Sequence, residues 1–213
     1  DTLNILEIAK TKRIKKIIYA SSIGVIGDNR LKNNSPKPIS PYACSKYSAE
    51  HYLRIYSELY NIHTVSLRFA NVYGKYSMNK GSVVAKFIKN ILNKDVIKIN
   101  GDGNQSRDFI YADDLAKIII RILFYKSNKI KKINYINVAT GKSRSINTLL
   151  RNLNKIYIPT LGHKFKIKHV KSLDGEIKIS RPDNKSLIKI LSDFEFIDFK
   201  LGLKKTFDWW SKI

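Results

Sequence analysis

Two short apolar runs, at about 16–20 and 64–68, enclose a long amphipathic stretch that opens at Ser40-Pro41 and continues to about Tyr60. Runs of that length read as strands, and the stretch between them reads as a helix. Ser40 suits the N-cap, where its hydroxyl accepts a bond from an otherwise unpaired backbone N–H. Pro41 suits the first helical position, where no N–H is needed. Strand, helix and strand in that order predict a parallel crossover, so the chain is expected to be α/β with helices packed on a parallel sheet. The alternation persists. Further helices are predicted at about 2–11, at 83–92, from an Asp113 N-cap to about Tyr125, from Ser145 or Ile146 until Pro159 ends it, and at 186–191 and 201–210. Short strands are predicted at 96–99, running into the turn Gly101-Asp102-Gly103, and at 135–138.

Tyr42 and Lys46 stand four apart at the start of the 41–60 helix, so they share one face. An ammonium beside a phenol favours the phenolate and lowers its pKa toward neutrality, which is what a general acid/base requires. Ser22 ends the first apolar run, and the carboxyl ends of strands are where α/β sheets bind ligands. The bland readings are a solvated helix face for Tyr42 and Lys46 and a turn hydroxyl for Ser22.

Composition narrows the classes. Of the 213 residues 43% are hydrophobic and 11% aromatic, as in a folded globular protein rather than a disordered one. The single cysteine, Cys44, excludes an internal disulfide, fits a reducing cytoplasm and is expected to pack its helix. The sequence shows neither a basic-then-apolar leader nor an apolar run of about 18 residues, so no membrane association is expected. A net charge of +23 would ordinarily raise nucleic acid as a partner, but nine of the 40 basic residues are Arg and the Lys residues are scattered beside Ile and Asn. That pattern fits a coding bias toward Lys, Ile and Asn, and no specific nucleic-acid binding is expected. His51, His63, His163 and His169 have no zinc spacing, so no metal site is predicted, and no nucleophile elbow is present. Trp209 and Trp210 are read as anchors of the last helix.

Ser22, Tyr42 and Lys46 together resemble the Ser-Tyr-Lys set of the short-chain dehydrogenase/reductase superfamily, in its extended branch of nucleotide-sugar epimerases and dehydratases of the UDP-glucose 4-epimerase type. The likeness runs along almost the whole chain. Tyr19-Ala20-Ser21-Ser22 and Val25-Ile26-Gly27 are similar to the family's serine strand and turn, and Ser40-Pro41-Tyr42 with Ser45-Lys46 to its catalytic helix. Leu67-Arg68-Phe69-Ala70-Asn71-Val72-Tyr73-Gly74 is similar to the following strand and loop. Gly101-Asp102-Gly103, Arg107-Asp108-Phe109, Asp113-Asp114-Leu115, Asn137-Val138-Ala139-Thr140-Gly141, Pro182-Asp183 and Thr206-Phe207-Asp208-Trp209 continue the series in order.

The resemblance implies the C-terminal two-thirds of a Rossmann-type doubly wound parallel sheet with a smaller α/β substrate-binding lobe. The Gly-rich turn that seats a dinucleotide pyrophosphate is not found in this sequence, and the first three strands of the family fold would precede Asp1. Residues 1–75 are expected to form the C-terminal half of an NAD-binding domain. Residues 76–213 are expected to be mainly the substrate lobe, with parts of 105–140 returning to the Rossmann body.

By the same resemblance Tyr42 is the acid/base, Lys46 holds the phenolate and the nicotinamide ribose, and Ser22 donates to the substrate oxygen. Ala20, Ser21, Phe69 and Ala70 join Tyr42 and Lys46 around NAD. Asn71, Lys86, Asn100 and Arg107, with Ser22, contact a nucleotide sugar, a UDP-hexose by preference. Plain core packing for Phe69, and an ion pair with Asp108 for Arg107, are the alternatives.

The implied reaction is 4-epimerisation through a transient 4-keto sugar by a cytoplasmic homodimer paired through the 2–11 and 41–60 helices. The alternatives are an NADP-dependent 4-keto nucleotide-sugar reductase and a catalytically silent fragment. Ile23 and Gly24 stand where dehydratases carry an acidic pair, which disfavours elimination chemistry. Ile26 replaces a customary Tyr, and Leu173 replaces an Arg that grips diphosphate, with Lys171 or Arg181 as substitutes.

Overall fold

The computed structural model describes residues 1–28, 35–125, 134–162, 165–172 and 177–212, and these divide into two units. Unit one comprises Asp1–Ala70, Ala116–Ala139 and Pro182–Phe194, and unit two comprises Asn71–Leu115, Thr140–Arg181 and Glu195–Ile213.

Unit one is built on a three-stranded parallel sheet in the order β1 (Lys16–Ser22), β2 (His63–Phe69), β6 (Tyr135–Val138). The crossover from β1 to β2 is α2 (Pro41–Tyr60), capped at Ser40, whose hydroxyl accepts from the Ala43 N–H at 3.1 Å. It ends at Asn61 in the left-handed conformation, where an Asn tolerates positive φ better than most residues. α2 turns Ala43, Ala49, Glu50 and Leu53 inward. α1 (Thr2–Thr11) lies against α2 and buries Leu6 and Ala9. Lys16, at the start of β1, donates to the carbonyls of Ile122 (2.6 Å) and Leu123 (2.7 Å), near the end of α4 (Ala112–Phe124), where carbonyls lack helical partners. α6 (Lys185–Ile190) completes this unit and buries Leu187.

Unit two holds a sheet in the order β3 (Asn71–Tyr73), β5 (Ser106–Tyr111), β7 (Ser143–Ser145), parallel in the first pairing and antiparallel in the second. A separate parallel pair joins β4 (Ile97–Asn100) to β8 (Ile167–Val170). The core among α3 (Val83–Leu92), α5 (Ile146–Leu161) and α7 (Phe199–Trp210) is rich in aromatics, with Phe109 stacked on Phe199 at 5.4 Å and Tyr157 edge-on to Phe207 at 5.8 Å. Trp210 is buried and donates its indole N–H to the Lys75 carbonyl, and Trp209 packs its edge against Tyr76.

Several expectations need correction. Pro159 does not end α5. The helix runs on to Leu161 and stops at Gly162, whose left-handed backbone lets its N–H reach the Ile158 carbonyl at 2.9 Å. Asp113 lies in the first turn of α4 rather than capping it. Cys44 is exposed, because it follows Ala43 around the helix and falls off the buried stripe. β3, β5, β7 and β8 were not foreseen as strands.

Candidate active site

In unit one the C-terminal end of β1 meets the first turns of α2. Lys46 donates its ammonium to the Ala20 carbonyl at 2.9 Å, and the same nitrogen lies 4.9 Å from the Tyr19 ring centre and 5.9 Å from that of Tyr42. One ammonium proton is spent on Ala20, leaving two for other acceptors. Tyr42 is 59% exposed, its phenol presented to solvent. Ser22 caps the short 3-10 turn at Ile23–Ile26, its hydroxyl oxygen accepting from the Gly24 N–H at 3.0 Å.

Gly24 makes this close approach feasible. A Cβ there would stand 3.2 Å from Ser22 Oγ and 3.8 Å from the Ala43 Cβ, so the Ser22 hydroxyl lies near the start of α2, next to Tyr42 in the chain. A longer side chain at this position would crowd that hydroxyl, and an acidic one would reach it.

The structure places the remaining expected cofactor residues around the same strand ends. Ala20 is exposed at the end of β1, Phe69 is half-buried at the end of β2, and Ala70 is buried with its N–H on the Val138 carbonyl at 3.0 Å. Ser21 differs from the rest. It is 3% exposed, and its hydroxyl donates to Glu50 at 2.5 Å, so only its backbone is left to meet a dinucleotide. Ile26 is buried within unit one.

The fit to a dinucleotide can be judged from these groups. An ammonium with spare protons, a phenol and a hydroxyl at a strand end form a donor set suited to the ribose hydroxyls and the reacting end of a nicotinamide nucleotide. They fit that end; they supply nothing to cradle a pyrophosphate.

In unit two, Asn71, Lys86, Asn100 and Arg107 line one cavity of about 760 Å³, together with Ser82, Asn90, Lys98 and Gln105. Gln105, which sequence reasoning passed over, holds the edge of this cavity by donating its amide to the Asn100 carbonyl at 2.9 Å. The Asn71 amide donates to the Asp108 carbonyl at 3.3 Å, and an Arg107 guanidinium N–H donates to the Ser106 carbonyl at 2.9 Å.

Asp108 faces away from this cavity. Its carboxylate accepts from the Thr140 N–H at 2.9 Å and the Thr140 hydroxyl at 3.0 Å. Burial pushes its pKa up, against the opposing pull of those hydrogen bonds and of the Gly141 and Lys142 N–H groups. The turn before β5 is fixed by Gly103 at φ +75°, where a Cβ would collide with the Asn147 side chain at 2.3 Å. Leu173 lies outside the described residues, as does His163, whereas Lys171 and Arg181, weighed as its substitutes, are both exposed.

The chain matches the NAD dependent epimerase/dehydratase family over residues 1–139. It belongs to that family. Among relatives of the NAD dependent epimerase/dehydratase family it is 35% identical to a putative UDP-glucose 4-epimerase of Methanocaldococcus jannaschii, covering 98% of this chain and 67% of that protein. Among solved structures it resembles the UDP-N-acetylglucosamine 4-epimerase of Methanobrevibacter ruminantium in complex with UDP-N-acetylmuramic acid, at a TM-score of 0.87 and 35% identity, covering 99% of this chain and 67% of that one. It also resembles the UDP-glucuronic acid 4-epimerase of Bacillus cereus in complex with UDP-glucuronic acid and NAD, at a TM-score of 0.88 and 29% identity, covering 99% and 66%. The chain thus spans about two thirds of the length of these family members. Among the described residues no helix is long and apolar enough to cross a membrane.

Proposed function

We propose that this chain is the catalytic and nucleotide-sugar-binding portion of an NAD-dependent nucleotide-sugar 4-epimerase acting on a UDP-hexose. The observation that carries the reading is Lys46, tied to the Ala20 carbonyl at 2.9 Å, with Tyr42 four residues before it and Ser22 two residues beyond its acceptor. NAD, when bound, supplies the acceptor and then the donor of the hydride at sugar carbon 4. The chain's own residues handle the proton. Tyr42, as phenolate, takes the proton of the 4-hydroxyl, and the Ser22 hydroxyl donates to the same oxygen as it becomes a carbonyl. Lys46 keeps a positive charge beside the phenolate and offers its spare protons to the ribose. Tyr42 returns the proton once the keto-sugar has turned its other face.

The Asn71, Lys86, Asn100 and Arg107 cavity is assigned the nucleotide diphosphate, with the Arg107 guanidinium suited to a planar two-point grip on phosphate. Gly24 favours epimerisation over dehydration, since no acid stands beside Ser22 there. The pairing surface of a homodimer is assigned to α1 and α2, whose exposed side chains include Ile5 (61%), Ile8 (60%) and Leu59 (66%). Sedimentation of wild type against an Ile8→Glu/Leu59→Glu variant tests it: a dimer that becomes a monomer supports the assignment, and an unchanged state rejects it.

The functional reading is tested on the complete protein with Tyr42→Phe. Turnover of UDP-glucose should fall about 10²- to 10⁴-fold with NAD binding retained; undiminished turnover would refute the role. Loss of nicotinamide absorbance in step with product would instead identify a reductase.

A further inference from the structure

Beneath the site, one row of polar side chains crosses the sheet of unit one. Ser21 on β1 is in register with Arg68 on β2, and Arg68 with Asn137 on β6, so the three share a face of the sheet. Glu50 of α2 comes down onto this row. Its Oε1 accepts the Ser21 hydroxyl at 2.5 Å and Arg68 Nε at 2.9 Å, and its Oε2 accepts Arg68 Nη2 at 2.6 Å. The side chains of Arg68 and Glu50 are 1% and 8% exposed. The guanidinium also lies over the Tyr135 ring at 3.7 Å, while its Nη1 donates to no acceptor among the described residues. Glu50 is therefore the anion that compensates this buried cation.

The placement along the helix gives the network its meaning. Glu50 lies one turn beyond Lys46 and two turns beyond Tyr42, on the same stripe of α2. The residue it grips, Ser21, sits between Ala20, whose carbonyl holds Lys46, and Ser22, whose hydroxyl belongs to the site. A carboxylate buried in low dielectric and bonded to both strands resists displacement, because any shift of α2 leaves a buried charge unpaired.

We propose that Glu50 and Ser21 are positioning residues, a buried clamp that locks the reacting face of α2 against the end of β1 and so sets the spacing of Tyr42, Lys46 and Ser22. This rests on the epimerase reading given above. The clamp acts through the catalytic groups and touches neither substrate nor cofactor through its side chains.

Ser21→Ala removes the Ser21–Glu50 bond between β1 and α2 while leaving the Glu50–Arg68 pair intact. In the complete protein with NAD and UDP-glucose it should lower kcat about 10- to 100-fold, the scale on which small misplacements act, with KM within about twofold. The rising limb of the kcat–pH profile should move to higher pH, and Ser21→Thr, which keeps the hydroxyl, should restore both. An unchanged kcat and an unmoved pH limb in Ser21→Ala would overturn the proposal, whatever the variant does to the melting temperature. A second arm needs no turnover. In a crystal structure of Ser21→Ala, Lys46 Nζ should leave the Ala20 carbonyl, beyond about 3.5 Å, and its persistence at the wild-type 2.9 Å would also overturn the proposal. A wild-type protein inert toward UDP-glucose would sink the epimerase reading and leave the structural arm to decide this one.

Discussion

β1 and β2 are both seven residues long and lie side by side in register, yet β2 buries five consecutive residues and β1 buries only Ser21. Their sequences do not account for the difference, since Ile17, Ile18 and Tyr19 are as apolar as Val65 and Leu67. Neighbours account for it. β2 has a strand on each side, whereas β1 pairs with β2 alone among the described residues. The residues assigned to proton transfer stand at the end of β1 and the start of α2. Burial in a parallel sheet is thus a property of position rather than of the strand that occupies it.

The buried clamp offers the harshest way to break that contrast. Glu50→Ala strands Arg68 in the interior and should cost about 3–5 kcal/mol in urea-induced unfolding; a cost near zero would mean water reaches the pair. Next come matched truncations of the two strands. Leu67→Ala, at a fully buried position of β2, should cost about 2–5 kcal/mol, and Ile18→Ala in half-exposed β1 less than half as much. Equal losses would show that burial does not set the cost at these two positions. In unit two, Arg107→Leu should weaken UDP binding about 10- to 100-fold by calorimetry, the loss expected for a charged hydrogen-bond partner, while Tyr42→Phe leaves UDP affinity unmoved.

The smallest effect concerns the tie between α1 and α2, where the Tyr56 hydroxyl donates to Glu7. That bond holds the Glu7 carboxyl below its ordinary range and pushes the Tyr56 phenol up to about 12. The Glu7 share of stability is present above its unfolded value and is lost as pH falls through its lowered folded value. The Tyr56 share is present below the ordinary phenol range and is lost as pH rises through about 12. Tyr56→Phe should therefore lower the melting temperature slightly between about pH 5 and 10, with the difference closing toward both extremes. A pH-independent difference would exclude the bond as its source.

Local signals made much of this legible in advance. Ser40 and Pro41 mark the start of α2, and the structure begins the helix there, so the placement of Tyr42 and Lys46 one turn apart on that helix is legible from spacing alone. What could not be read depends on distant partners. β5 carries Arg107 and Asp108 in its middle, and the buried Asp108 carboxylate is satisfied by the segment at Thr140–Lys142, more than thirty residues away. β3 and β7 are three residues each and exist through pairing with β5 rather than through their own propensity. Glu50 and Arg68 read singly as solvent-facing charges, and only the crossover of α2 over β2 brings them to 2.6 Å.

The most direct test follows the hydrogen on sugar carbon 4. Complete protein with NAD should convert UDP-glucose deuterated at that carbon into UDP-galactose that still carries the deuterium there, because Tyr42 exchanges only the hydroxyl proton while the carbon-bound hydrogen leaves and returns without meeting solvent. Inverted product with its deuterium washed out into water would contradict the account.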